Sequence, residues 1–372
     1  MMPRNGMPRW RGRLKERAAA VISRIGTAKS RLRSGRSYRP LVLGYHRVVE
    51  DFDEASKSDM PSMLISTSMF ERQLDLIGRR FRFVGIDEIG ESVRNGVPFE
   101  EPVAAVTFDD GYQDVFDNAV PILKRKGIPA ASFVVTDLVS RSAWQTHDKL
   151  FHLVEKAFAQ WSDPRTRLQR LLRDLGLPEA TILRDAGSTQ SAMHTVSALL
   201  PNLSRVDTLR VMGRLEWLVG NGFVNVAPTV SWAVLKQMLN DGFVIGSHTR
   251  THVSLPMESQ DSALDELAES KRVLEQQLGV AIDHFAYPGG QFTPGVVEVI
   301  EQCGYRYAYT ACPHFDERYP ALTIERLLLW ERSSIDADGR FYPAILECQA
   351  QNMWPPARIC HRVHETRDDA GR

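Results

Sequence analysis

A chain of 372 residues is long enough for one large barrel-type domain with additions, or for two ordinary domains. Its 43% hydrophobic and 25% charged residues fall near the average of soluble globular proteins and exclude a wholly disordered or fibrous chain. Lys plus Arg equal Asp plus Glu at 46 each, so the summed charge marks neither a nucleic-acid binder nor an acidic-tail protein.

That charge is unevenly spread. Residues 1–39 carry Arg4, Arg9, Arg11, Arg13, Lys15, Arg17, Arg24, Lys29, Arg31, Arg33, Arg36 and Arg39 against Glu16 alone. Trp10, Leu14, Ala18, Val21, Ile22 and Ile25 recur among them at helical spacing, the pattern of an amphipathic helix lying on an anionic membrane surface. The continuous apolar stretch here, Ala18 to Ile22, is shorter than a secretory signal core, and no small-residue cleavage site follows it. No run of about 18 apolar residues occurs anywhere, so no spanning helix is expected. The expectation is a cytoplasmic chain with peripheral membrane contact through residues 1–39.

From Pro40 the pattern changes. Leu41 to Tyr45 reads as a buried strand ending in His46 and Arg47, and after an acidic loop Ser68 reads as the N-cap of a helix with Glu71 in capping-box position. Phe83 to Ile86 and Val103 to Phe108 are the next strands, the second breaking abruptly at Asp109, Asp110 and Gly111. A helix through Val115, Ala119, Ile122 and Leu123 is stopped by Gly127 before the strand Ala130 to Thr136. Residues 140–228 read as a helical insertion, with helices at Trp144 to Phe158, Arg165 to Leu175 and Val206 to Leu218. Strand and helix alternation then resumes: a helix at Trp232 to Leu239, a strand at Phe243 to Gly246, a helix at Ser262 to Leu278 and a strand at His284 to Tyr287. A helix at Pro294 to Cys303 and a strand at Tyr307 to Thr310 complete it. This order indicates an α/β fold with parallel strands, spanning 40–345, with 346–372 as a C-terminal tail. Cys303, Cys312, Cys348 and Cys360 form no CxxC pair, so inert thiols are expected, although spacing leaves a Cys303 to Cys312 bridge open.

Three polar constellations each follow a strand, and a barrel would bring them to one rim. In Thr107-Phe108-Asp109-Asp110-Gly111-Tyr112 two adjacent carboxylates repel, and a metal ligand paired with a base is a natural division of their roles. In Ser247-His248-Thr249-Arg250-Thr251-His252 two imidazoles four residues apart can reach one cation, and with a carboxylate they form a facial triad with open positions. The third, Phe285-Ala286-Tyr287-Pro288-Gly289-Gly290, is a strand breaking into a tight turn.

This order of motifs resembles the polysaccharide deacetylase family, also called carbohydrate esterase family four, over roughly residues 40–138 and 229–330. The Gly44-Tyr45-His46-Arg47-Val48 segment and the helix with Phe70, Gln73 and Leu74 are similar to a bacterial branch concerned with cell-surface polysaccharides. The resemblance implies a distorted (β/α) barrel of fewer than eight repeats, with Asp109 as general base and Asp110, His248 and His252 holding a divalent cation. Zinc is the default ion; cobalt, nickel and iron suit the same donors. It further implies an oxyanion site at the backbone N–H of Tyr112, with Tyr287 and Pro288 beside the substrate. Two departures stand out. Ala286 occupies the place where relatives carry an arginine that orients the base, and Arg326 is the candidate to supply that guanidinium. No Leu-x-His motif provides a general acid; His46 is the best candidate, with His314, His361 and His364 behind it.

The expected activity is hydrolysis of N-acetyl groups on an aminosugar polysaccharide or a lipid-linked sugar, with no nucleic-acid partner. The alternatives are another acyl group at the same centre (an O-acetyl ester, a formyl group or a non-sugar amide), or an inactive carbohydrate-binding protein. Trp144, Trp161, Trp217 and Trp232 are candidates for stacking on sugar rings.

Overall fold

The computed structural model describes residues 38–183, 191–220 and 228–351. The expected membrane-binding helix, Cys360, His361, His364 and nearly all of the expected tail lie outside the described residues.

Runs of small and β-branched apolar residues form strands buried on both faces, as a covered parallel sheet requires. The strands are β1 (Leu41–Tyr45), β2 (Arg47–Val49), β3 (Leu64–Ser66), β4 (Arg82–Phe83), β5 (Val103–Phe108), β6 (Ala130–Val134), β7 (Val244–Ser247), β8 (His284–Ala286), β9 (Tyr307–Thr310) and β10 (Ile324–Leu328). All pairings between them are parallel, in the order β1-β10-β9-β8-β7-β6-β5-β4, and β1 also pairs with β5. That last pairing, from Leu41 beside Ala104 to Tyr45 beside Phe108, closes a seven-stranded barrel with helices around it. β4 adds to the start of β5, and β2 pairs with β3 beyond the rim.

Three boundaries differ from expectation, each for a tertiary reason. The helix Thr67–Gly78 is capped by Ser66 rather than Ser68, its hydroxyl accepting from the Met69 N–H. Glu331 decides this by accepting from both the N–H and the hydroxyl of Ser66, while Glu71 turns outward to Arg125 and Lys126. The strand expected from Phe83 stops there, because Ile86 opens the helix Ile86–Asn95. At the C-terminal side a 3-10 turn at Pro320–Leu322 leads into β10. The helix Pro343–Ala350, with Ile345, Leu346 and Cys348 buried, carries the fold past the expected boundary at 345. Cys303, Cys312 and Cys348 are free thiols, so the Cys303 to Cys312 bridge is not formed.

The helices between β6 and β7 build a core of their own. Thr146–Gln160, Pro164–Asp174, Ala192–Leu199 and Arg205–Val219 bury Leu150, Leu172, Leu199, Val211 and Leu215 among themselves. The chain returns along the first carboxylate turn, where Pro228 O accepts from Gln113 N–H and Gly111 O from Val230 N–H. Trp161 is part of this core and so is not a stacking surface; Trp232 is partly buried against the barrel core, Trp217 is 72% exposed, and Trp144 is half-buried against His152.

Gly246 in β7 lets the wall close: a Cβ there would lie 2.5 Å from the Phe133 ring and 2.8 Å from the His284 carbonyl oxygen. Gly246→Ala is therefore expected to cost about 1–3 kcal/mol, as overpacking does, read as a lowered thermal midpoint. An unchanged midpoint would mean that the wall has slack.

Candidate functional site

In a closed parallel barrel all strand C-termini share one rim. His46 follows β1, Asp109 and Asp110 follow β5, His248 follows β7 and Tyr287 follows β8, while Arg326 projects from β10. Residues far apart in sequence therefore meet.

Asp109 and Arg326 form a buried bidentate pair: Nη1 and Nη2 donate to Oδ1 and Oδ2 at 2.7 Å each. Nη1 also donates to Thr107 Oγ1 at 3.2 Å, and the guanidinium lies over the Phe133 ring. Burial alone would push the Asp109 carboxyl up; the charge of Arg326, with smaller help from His248 and His46, overrides it and holds the group well below the usual carboxylate range. His46 Nε2 lies 3.9 Å from Asp109 Oδ2. Burial lowers the His46 imidazole to about 4, although the Asp109 charge works the other way.

Asp110 is built differently. It is 1% exposed, holds a left-handed φ of 72°, and neither carboxylate oxygen has a hydrogen-bond partner. Gly111 follows with φ 72° as well, and a Cβ there would meet Val134 at 2.9 Å. Imidazole nitrogens surround the carboxylate instead: His252 Nε2 at 3.3 Å and His248 Nε2 at 3.6 Å from Oδ1, and His147 Nε2 at 3.7 Å from Oδ2. Burial, with the charges of Asp109 and Asp148, pushes Asp110 well above the usual range, and burial keeps His248 and His252 neutral. His248 Nδ1 meets the Ala286 carbonyl at 2.8 Å, which makes Nδ1 the donor and turns the Nε2 lone pair towards Asp110. An unpaired buried carboxylate is costly, and neutral imidazoles do not relieve it. A divalent cation does, and one oxygen with imidazole nitrogens is a donor set that suits it. The residues present thus fit a cation, which would be held by Asp110 with imidazoles around it.

The loop carrying the histidines is strained and braced. Thr249 and His252 also have left-handed φ, 64° and 60°. Glu266, 2% exposed on the helix Gln260–Leu278, accepts from the N–H groups of Arg250 and Thr251 and from the Thr251 hydroxyl. Thr249 Oγ1 accepts from the His252 N–H at 2.9 Å. Glu266→Ala should free the loop and weaken metal affinity by about tenfold or more, the usual cost of losing an outer partner. Competition with a chromophoric chelator measures this, and equal affinity would show that the loop holds itself.

Other expected residues fall elsewhere. Tyr287 and Pro288 are buried, and the Tyr287 hydroxyl donates to the Leu322 carbonyl at 2.8 Å within the core. Their side chains are thus packing groups rather than substrate contacts; what the third motif gives the site is the Ala286 carbonyl. The Tyr112 side chain is fully buried, bonded to His147 and Asp148 and covered by Arg47. His314 is exposed on the loop after β9, beside Cys312. His147, Asp148 and Glu266 were not singled out in the sequence. The visible signal was a His-Asp pair opening the first helix of the insertion, a weak pattern in a segment without other motifs.

Comparison with known proteins agrees with this geometry. A family model for polysaccharide deacetylase matches residues 96–308. The chain is similar to poly-beta-1,6-N-acetyl-D-glucosamine N-deacetylase of Staphylococcus aureus, 28% identical over 118 residues, a match spanning 30% of this chain and 40% of the relative. In fold it is similar to the Streptococcus pyogenes deacetylase PplD in complex with acetate, with TM-score 0.51 and 17% identity over 82% of this chain and 97% of that one. It is also similar to IcaB from Ammonifex degensii, with TM-score 0.51 and 21% identity over 86% and 98% of the two chains. With its seven-stranded barrel and a family match covering more than half its length, the chain belongs to the polysaccharide deacetylase family.

Proposed function

We propose that this protein is a metal-dependent hydrolase that removes N-acetyl groups from an aminosugar polymer, with Asp110, His248 and His252 holding the cation. The observation that carries the reading is the pairing of two unlike carboxylates: Asp109 clamped by Arg326, and Asp110 buried with both oxygens unpaired among imidazoles. The cation, when bound, would supply positive charge that polarises the acetyl carbonyl and acidifies a water molecule.

The chain's own residues do the rest. Arg326 occupies one lone pair on each Asp109 oxygen and leaves the others free, so Asp109 accepts the proton of the attacking water from a fixed direction. The backbone N–H of Tyr112 holds the oxyanion that develops on the acetyl carbon's oxygen. His46, at the end of β1 between the strands that carry Asp109 and Arg326 and 3.9 Å from the Asp109 carboxylate, relays to the departing amine the proton that Asp109 takes from water, since burial keeps it neutral at rest. Trp144, next to Gln145 whose side chain bonds the Asp110 carbonyl, offers a ring for sugar stacking near the rim.

Poly-N-acetylglucosamine is the proposed substrate class, on the strength of the similarity to the Staphylococcus aureus poly-beta-1,6-N-acetyl-D-glucosamine N-deacetylase. The basic segment 1–39 is proposed to seat the protein on the inner face of the membrane, where a lipid-linked glycan would be within reach. No helix among the described residues is long and apolar enough to cross a membrane. The test is acetate release by the metal-loaded protein from poly-β-1,6-N-acetylglucosamine oligomers, beside O-acetylated and N-formylated analogues. Preferential N-acetyl cleavage supports the proposal. Preference for an ester or formyl group moves it to another acyl substrate, and no turnover of any of them favours a carbohydrate-binding role.

A further inference from the structure

The helical insertion reaches into the cation site. His147, in the first turn of the helix Thr146–Gln160, is 3% exposed, and its ring centre lies 4.9 Å from that of His252. Nitrogen and oxygen atoms that Asp110, His147 and His252 can offer to a metal all lie within 4.8 Å of one another.

Hydrogen bonding leaves this imidazole incomplete. Its Nε2 meets the Tyr112 hydroxyl at 2.7 Å, but Tyr112 donates its one proton to Asp148 Oδ2, also at 2.7 Å. The phenol oxygen can then only accept from His147. Nδ1 is buried and has no hydrogen-bond partner. A neutral imidazole has one N–H and one lone pair, so whichever nitrogen bears the proton, the lone pair of His147 lacks a donor. Both oxygens of Asp110 lack one too, and the two groups approach to 3.7 Å. That distance is measured from Nε2, the nitrogen at Tyr112, so a cation would take His147 either through the unpartnered Nδ1 or through Nε2 with the Tyr112 contact given up. A shared cation satisfies both groups at once, whereas an added hydrogen-bond donor satisfies one.

We propose that His147 is a further protein ligand of the cation at Asp110, so that the insertion and the barrel close over one ion. This rests on the cation reading of the site given above. With His147 added to Asp110, His248 and His252 the ion would have four protein ligands, so one that also took water and substrate would need five or six positions. That favours Co²⁺, Ni²⁺ or Fe²⁺ over a four-coordinate zinc.

The test is X-ray absorption and visible spectroscopy of the full chain loaded with Co²⁺, beside His147→Gln and His248→Gln. The wild type should show imidazole scattering from His147, His248 and His252 together. Each variant should lose one imidazole, shift the cobalt bands and bind at least about tenfold more weakly. If the wild type shows two imidazoles, or His147→Gln keeps the wild-type spectrum and affinity while His248→Gln does not, the proposal is overturned and the cation reading stands. The wild-type imidazole number decides the matter even if a variant does not fold. A wild type that binds no cobalt overturns both.

Discussion

Without metal, Asp110→Asn is expected to be more stable than the wild type, and with metal the order should reverse. The metal-free wild type buries a carboxylate whose oxygens have no hydrogen-bond partner, on a residue with a left-handed φ of 72°. Asparagine removes a buried acid that must either carry an unpaired charge or take up a proton, and it tolerates that backbone conformation. The gain should be of order 1–3 kcal/mol, the usual cost of an unsatisfied buried group. Adding metal at about a thousand times its dissociation constant should then raise the wild type by about 4 kcal/mol and leave the variant where it was. Thermal unfolding of both proteins with chelator and with metal measures the crossing. A chelated variant less stable than chelated wild type would mean that Asp110 already has its partners within the protein.

Asp109→Asn should lower kcat by roughly 10³-fold, within the usual range for a lost general base, and leave metal affinity near the wild-type value. It should also destabilise the fold by about 3 kcal/mol, because the Arg326 guanidinium, 3% exposed, loses its counter-charge. Arg326→Met strands the carboxylate instead and should cost a similar amount. The double variant removes both charges, so its stability should return towards the wild type while its activity stays lost. Denaturant unfolding with acetate-release kinetics on the full cycle separates the two effects. Additive stability losses would show that the pair, despite its 2.7 Å contacts, is not coupled.

The barrel was legible where its strands are buried on both faces. Val103–Phe108 and Ala130–Val134 carry no charge to interrupt the apolar run, and the motif residues fall where those runs stop. β10 was harder to see because Glu325 and Arg326 break its pattern, and Arg326 is tolerated because Asp109, one strand away past β1, supplies its counter-charge. The cap at Ser66 was not separable from Ser68 by local rules, since the deciding partner, Glu331, is remote in sequence. Tyr287 adjoins a turn, which suggests the rim, yet its hydroxyl finds a carbonyl in the core. His147 was hidden for the most physical reason. Its place beside Asp110 depends on how the insertion docks, through Tyr112 and Asp148, and no periodicity in one chain encodes that docking. The insertion's own helices were readable, because each buries one amphipathic face: Thr146–Gln160, Pro164–Asp174 and Arg205–Val219 lie within a few residues of their expected spans.

The most direct test of the central claim is to strip the protein with chelator, return divalent metal in steps, and follow bound metal and acetate release from poly-β-1,6-N-acetylglucosamine oligomers together. Metal-dependent hydrolysis through Asp110, His248 and His252 predicts that release rises in step with bound metal and saturates with it, and that Asp110→Asn neither binds nor releases. Acetate release by the fully stripped protein at the rate of the loaded one would contradict it.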